Sequence, residues 1–182
     1  MPLIIFLAPL FFLVSYLIYL YNSLIVANNR IKEALSSIEI QLKRRFDLVP
    51  NLVETVKGYA KHEASVFQQV TLARTALHDA KSIHDKAVAN DTLTFALKSL
   101  FAVSEAYPDL KSDSNFSELQ RQLEDTEDKV AYARQFYNSQ VLDFNTKISL
   151  FPANFFSKFM NFHFFEFFNS NNESKEPIKV SF

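Results

Sequence analysis

Apolar positions fall into two regimes along this chain. Over residues 3–21 they are continuous, broken only by Pro9 and Ser15, and the first charged side chain is Arg30. A run of about 18 or more apolar residues is long enough to cross a bilayer core as a helix. Tyr16, Tyr19 and Tyr21, at the far end of the run, suit the headgroup level, where amphipathic rings are favoured. Pro9 costs little near a helix start. No basic side chain precedes the run and no A-x-A-like site follows it, so an uncleaved anchor fits better than a cleaved secretory signal.

Beyond Arg30 the apolar positions recur at intervals of three and four, the helical period. Ile31, Leu35, Ile38 and Leu42 mark a first helix that continues from the anchor and ends near Phe46 and Asp47. Pro50 suits the first turn of a second helix, which makes residues 47–49 a tight connection and the two helices antiparallel neighbours. Leu52, Val56, Tyr59, Val66, Val70, Ala73 and Leu77 carry the second helix to about His84. Gly58 inside it costs about 1 kcal/mol against alanine, and close helix packing is the expected reason for it.

Asn90 and Asp91 have the character of an N-cap. The third helix that follows points Leu93, Leu97, Leu100, Phe101 and Val103 inward and stops before Tyr107 and Pro108. After a polar loop at residues 111–115, a fourth helix carries Phe116, Leu119, Leu123, Val130, Ala133, Tyr137, Val141, Phe144 and Ile148, with Ser117 and Gln120 as a capping box. No strand-like alternation occurs. The expected fold is all-α: an N-terminal transmembrane helix followed by an elongated antiparallel four-helix bundle. The expected divisions are an anchor (1–23), a bundle (24–150), a Phe-rich segment (151–168) and a polar, disordered end (169–182).

The Phe-rich segment, FPANFFSKFMNFHFFEFF, places apolar residues all round a helix rather than on one stripe. Phe155, Phe156, Phe159, Phe162, Phe164 and Phe165 are candidate membrane contacts, since dense exposed aromatic patches are rare without a partner. Packing against the base of the bundle is the alternative.

Composition removes several classes of chemistry. The net charge is -1, which offers no basic excess for nucleic acid. With no cysteine there are no disulfides, thiolate catalysis or cysteine zinc sites. One glycine cannot build a phosphate-cradling loop. His62 and Glu63 would open a zincin motif, but Val66 stands where its second histidine belongs. His78 and His84, six apart, fall on different helix faces; a solvated helix end explains them better than a metal. Glu118, Glu124, Asp125, Glu127 and Asp128 lack the Glu-x-x-His pairing of di-iron bundles and read as a solvated face. No catalytic group, metal or cofactor is expected.

Lys43, Arg44 and Arg45 are expected at the turn between helices 1 and 2. On an upright helix that turn is ~30 Å from the membrane, too far for lipid contact. An acidic partner would suit them, although basic residues near a helix C-terminus are favourable by the dipole alone.

Those residues also lie in the most distinctive stretch of the chain. Glu33-Ala34, Ile38 and QLKRRFDLVPNLVETVKGYAKHE over residues 41–63 resemble the LemA family. Further matches are Ala73-Arg74, Glu105-Ala-Tyr-Pro-Asp-Leu110, Phe116, Leu119-Gln120, Thr126-Glu127, Ala133-Arg134, Tyr137-Asn138, Phe144-Asn145 and Phe151-Pro152. The resemblance covers most of residues 21–155. It implies a bacterial single-pass membrane protein with a helical-bundle domain and no established enzymatic activity or ligand. Leu35 stands where many members have an aromatic residue, and the tail from Phe155 is richer in phenylalanine than the family pattern.

The leading expectation is a non-enzymatic scaffold at the bacterial inner membrane, with the N-terminus outside and the bundle in the cytoplasm because basic residues flank only the C-side of the span. Its partners are the membrane and a protein, with a second copy of the chain left open and nucleic acid excluded. The expected partner surface is Lys43, Arg44, Arg45, Asn51, Lys57 and His62. A membrane-remodelling protein that uses anchor and Phe-rich segment together is the alternative, and an enzyme or metal protein the third reading.

Overall fold

The computed structural model describes residues 2–170, with side chains described from residue 9 onward, Lys158 apart. The helices are α1 (Pro2–Tyr59), α2 (Ala64–Asp79), α3 (Ile83–Ser104), α4 (Pro108–Lys111), α5 (Ser114–Ser149) and α6 (Ala153–Phe159). No strand occurs among the described residues. The chain forms two compact units, one of Met1–Ser36 with Gln135–Glu166 and the other of Ser37–Arg134 with Phe167–Phe182.

In the second unit, α1 does not turn at residues 47–49. It runs through Pro50 to Tyr59. A proline inside a helix removes one N–H, here the donor that would bond the carbonyl of Phe46 four residues earlier. Arg74 of α2 replaces it: Nε donates to the Phe46 carbonyl at 3.1 Å, and the guanidinium stacks 3.7 Å from the Phe46 ring centre. The buried face of this part of α1 is Ile38, Leu42, Arg45, Val49, Leu52 and Val56, at intervals of four, three, four, three and four. The hydrophobic seam therefore continues across Pro50.

The turn comes instead at residues 60–63, where the Ala60 N–H donates to the Val56 carbonyl at 2.9 Å and the Glu63 N–H to the Ala60 carbonyl at 3.3 Å. The expected second helix is thus divided between α1 and α2. Gly58 is not a close-packing glycine. It is exposed, and a Cβ there would meet nothing within 4 Å.

Helix α2 buries Phe67, Val70, Ala73 and Leu77. Helix α3 starts at Ile83, ahead of the expected Asn90, because Ser82 and Asp85 form a capping box: Ser82 Oγ accepts from the Asp85 N–H at 2.9 Å. Asn90 is consequently a buried mid-helix residue. Pro108 opens the short α4, whose Leu110 is fully buried. At the start of α5, Asp113 accepts from the Phe116 N–H at 2.8 Å, in place of the expected box at Ser117 and Gln120. Thr126, buried, fills the core position between Leu123 and Val130 and donates its hydroxyl to the Gln122 carbonyl at 2.7 Å.

In the first unit, α1 buries Leu24, Ala27, Ile31 and Ala34, while nearly all described side chains over residues 9–21 are exposed. Helix α1 is long and apolar enough to cross a membrane. Helix α5 contributes Tyr137, Val141, Phe144 and Ile148 to this unit's core. The Phe-rich segment is not one helix. After the turn containing the cis Phe151–Pro152 peptide, α6 lasts seven residues. It closes with Asn161 at φ 58° and the Phe162 N–H on the Ser157 carbonyl at 3.0 Å. That six-to-one bond across a left-handed residue is a Schellman end, and asparagine tolerates it better than most residues.

The chain then runs back without regular structure. Asn145 clamps Phe165 through both main-chain groups, with Nδ2 donating to the carbonyl and Oδ1 accepting from the N–H, each at 3.0 Å. Tyr137 donates its hydroxyl to the Glu166 carbonyl at 2.9 Å. Phe162 and Phe165 pack edge-on against Phe144, with ring centres 5.9 and 5.3 Å away. The polar end expected over residues 169–182 lies outside the described residues from 171 onward.

Candidate partner-binding surface

The six polar residues singled out over residues 43–62 all lie in the second unit, but not on one exposed surface. Lys43 and Arg44 are exposed on α1, within a helix rather than at its end, and pair with Asp47 at 3.2 Å and Asp125 at 3.9 Å. The favourable helix-terminus position expected for their charge therefore does not arise. Asn51 and Lys57 are exposed farther along α1, and His62 is exposed in the turn after it. Lys57 bonds Glu54 at 2.9 Å and lies 5.9 Å from the Phe67 ring centre.

Arg45 is different: only 2% of it is exposed. It takes the core position between Leu42 and Val49 because a helix of 3.6 residues per turn brings residue 45 to the same face. Its Nη1 donates to Asn90 Oδ1 of α3 at 2.6 Å and pairs with Glu127 Oε2 of α5. Thr94 Oγ1 lies 3.0 Å from the Asn90 carbonyl and 3.2 Å from Glu127 Oε1, the two acceptors within reach of its one proton. Arg134 approaches Asp91 to 4.0 Å beside this node. Burial pulls the Arg45 pKa below its ordinary value, while the Glu127 and Asp91 carboxylates oppose that shift. A guanidinium stays protonated in proteins, so Arg45 is a buried cation held by one carboxylate and one amide. It joins α1, α3 and α5 and is withdrawn from any docking surface.

A groove of about 470 Å³ opens beside the node, lined by Glu39, Leu42, Lys43 and Phe46 of α1, Leu77 and His78 of α2, Ala80, and Lys86 of α3. Its floor is apolar and its rim carries both signs of charge. Lys86 pairs with Glu39 across it, and the Phe46 and His78 rings lie 5.5 Å apart. Only Lys43 of this set was expected at a partner surface. The others come from three elements whose approach depends on where α1 ends, which the placement of a turn before Pro50 obscured.

At the far end of the unit, Tyr59 donates to Asp113 at 3.0 Å and Tyr107 to Glu63 at 3.4 Å. The Phe116 N–H, then the Tyr59 hydroxyl, hold the Asp113 carboxyl below its usual range, and the same bond raises Tyr59. These contacts tie the α1–α2 turn to the loop before α5. No group of three or more His, Asp and Glu residues suited to a metal ion occurs among the described residues.

Residues 34–182 match the LemA family model. The chain belongs to the LemA family. It is 25% identical to the magnetosome protein MamQ 1 of Paramagnetospirillum magneticum, over 91% of this chain and 70% of that protein. It is 24% identical to the magnetosome protein MamQ of Magnetospirillum gryphiswaldense, with the same coverage. To the LemA protein of Metamycoplasma hominis it is 28% identical, over 73% of this chain and 61% of that protein. The residues that carry the family resemblance in this sequence include Arg45, Phe46, Pro50, Arg74, Glu127, Tyr137 and Asn145. In the structure Pro50 leaves the Phe46 carbonyl for Arg74, and the others make the side-chain contacts described above. Much of the LemA pattern here is thus architecture, and of the six expected partner-surface residues Lys43, Arg44, Asn51, Lys57 and His62 are exposed.

Proposed function

We propose that this LemA-family protein is a non-enzymatic, single-pass membrane protein that presents a helical bundle as an interaction scaffold at the bacterial inner membrane. The observation that carries this reading is α1. One helix supplies an apolar stretch with exposed side chains over residues 9–21 and also the exposed polar face and groove wall of the second unit. An apolar stretch left exposed needs a lipid environment. A groove with an apolar floor and a charged rim suits a peptide or helix with an apolar face, while the charges select its orientation.

The absence of cysteine makes the topology directly testable. A single cysteine at Ser112, exposed after α4, should react with a membrane-impermeant maleimide only after cells are lysed. Labelling of intact cells would put the bundle outside. For the partner surface, photo-crosslinkers at Lys43, Asn51 and His78 should give discrete adducts in cells, and a crosslinker at Phe95 of α3 should not. Identical adducts from both groups of sites, or none from either, would remove the scaffold reading.

A further inference from the structure

The corner joining α5 to α6 carries an apolar surface that the first unit leaves uncovered. Leu150, Phe151, Phe155 and Phe159 are 58%, 87%, 60% and 79% exposed. Phe155 packs its ring 5.5 Å from Phe159, and both line an open cavity of about 490 Å³ with Phe151. The neighbouring phenylalanines are used differently. Phe162 packs against Phe144 and Tyr21, and Phe165 is fixed by Asn145 and Phe144. These contacts fasten the chain on the far side of α6 and leave its outer aromatic face free.

The location of the corner identifies what covers that face. Leu150, Phe151 and Lys147 share a shallow cavity of about 190 Å³ with Tyr16, Tyr19 and Leu20 of α1. Those α1 residues form the C-terminal end of the apolar run, and burial within the unit begins only at Leu24. Tyrosines and a lysine beside an apolar stretch are the side chains that settle at a membrane–water boundary. Tyr16 to Tyr21 spans ~8 Å of helix axis at 1.5 Å per residue. An interfacial helix inserts its apolar face by about 5–10 Å, a matching depth.

We propose that the corner over residues 150–159 is a second membrane contact, with Phe151, Phe155 and Phe159 seated at the headgroup–acyl boundary of the leaflet where the α1 span ends. Of the six phenylalanines expected to touch lipid, Phe155 and Phe159 take that role; Phe156 packs edge-on against Phe155, Phe162 and Phe165 pack on Phe144, and Phe164 is exposed on the returning chain. The inference rests on the reading of α1 as a membrane span, and its partner is the bilayer itself.

The chain has no tryptophan, so single tryptophans report without interference. Phe159→Trp, Phe12→Trp and Phe95→Trp variants of the full chain would be reconstituted in phosphatidylcholine–phosphatidylglycerol vesicles. The acyl chains would be brominated either near the headgroup or near the methyl end. Phe159→Trp should be quenched severalfold more by shallow bromine than by deep bromine, with blue-shifted emission. Phe12→Trp should be quenched by the deep label and Phe95→Trp by neither. If Phe12→Trp is quenched and Phe159→Trp is not, the α1 span stands and the corner contact falls. Blue-shifted but unquenched emission from Phe159→Trp would mean that protein, such as a second copy of the chain, covers the face, and would also overturn the proposal. Quenching of Phe159→Trp alone would remove the α1 span and with it the corner contact as proposed, and quenching of neither removes both.

Discussion

Arg74 donates from Nε to the main-chain carbonyl of Phe46 at 3.1 Å, the carbonyl that Pro50 leaves without its helical partner. The same guanidinium covers the Phe46 ring at 3.7 Å. One side chain thus repairs a defect in α1 and packs α2 against it. Losing a hydrogen bond to a part-buried carbonyl costs about 1–3 kcal/mol, and the stacked cation adds about 0.5–1 kcal/mol. Arg74→Ala should therefore destabilise the protein by about 2–3 kcal/mol in denaturant unfolding. Pro50→Ala restores the N–H, so Arg74→Ala should cost less in that background. Strict additivity of the two substitutions would show that the repair is unimportant.

Arg45 and Lys43 lie two residues apart and should respond very differently. Lys43 is an exposed partner of Asp47, and exposed pairs contribute about 0–1 kcal/mol. Removing Arg45 leaves Glu127 and Asn90 facing an empty core position, and breaking a buried pair costs about 3–5 kcal/mol. Glu127 is partly exposed, which favours the lower end of that range. Thermal unfolding of Arg45→Ala and Lys43→Ala should separate by many degrees; equal midpoints would contradict the burial of Arg45.

Asn145 replaces a strand neighbour for Phe165 by pairing with both of its main-chain groups. Asn145→Asp keeps the size but removes the donor and sets a carboxylate against the Phe165 carbonyl. Hydrogen exchange over residues 160–168 should accelerate by at least tenfold, the equivalent of about 1.4 kcal/mol, while α2 and α3 stay protected. Unchanged exchange in that segment would mean that its packing alone holds it.

Tyr137 titrates late. Burial, followed by the nearby Glu166 carboxylate, pushes its pKa from the ordinary tyrosine value up to about 12. A tyrosine raised in the folded state contributes stability that is complete below its unfolded pKa and lost as pH rises through the folded one. Stability should therefore fall between pH of roughly 10 and 12 in the parent and less steeply in Tyr137→Phe. That variant also loses the bond to the Glu166 carbonyl, about 1 kcal/mol at neutral pH. Ultraviolet titration of the variant should lack the latest tyrosinate step, the one centred near pH 12.

Gly58 is an exposed helical position with open space around it. Alanine there should stabilise by about 0.4–1 kcal/mol, through helix propensity and a less flexible unfolded chain. A loss of stability would point to contacts that the described residues do not make.

The apolar run, the all-helical character and most core positions were legible in the sequence because each depends on local periodicity. Leu93, Leu97, Leu100, Val130, Val141 and Phe144 are buried as their spacing requires. The helix ends were not legible. Pro50 is compatible with a helix start, and only Arg74, 24 positions later, lets α1 continue through it. The true turn at residues 60–63 has neither proline nor glycine, and Gly58 just before it was the one available signal.

By itself the sequence determined where apolar surface must be hidden, because a helix repeats every 3.6 residues whatever it packs against. It also excluded cysteine chemistry and glycine-loop phosphate binding, since the residues are absent. Tertiary structure alone decided that Arg45 is a core cation while Lys43 and Arg44 are surface residues, and that Phe162 and Phe165 turn inward while Phe155 and Phe159 stay exposed. Those outcomes depend on partners distant in the chain, from Phe144 for the Phe162 ring to Glu127 for the Arg45 charge. Burial of a charge or a ring is settled by whichever distant group can pay its desolvation or match its shape, and no local pattern encodes that.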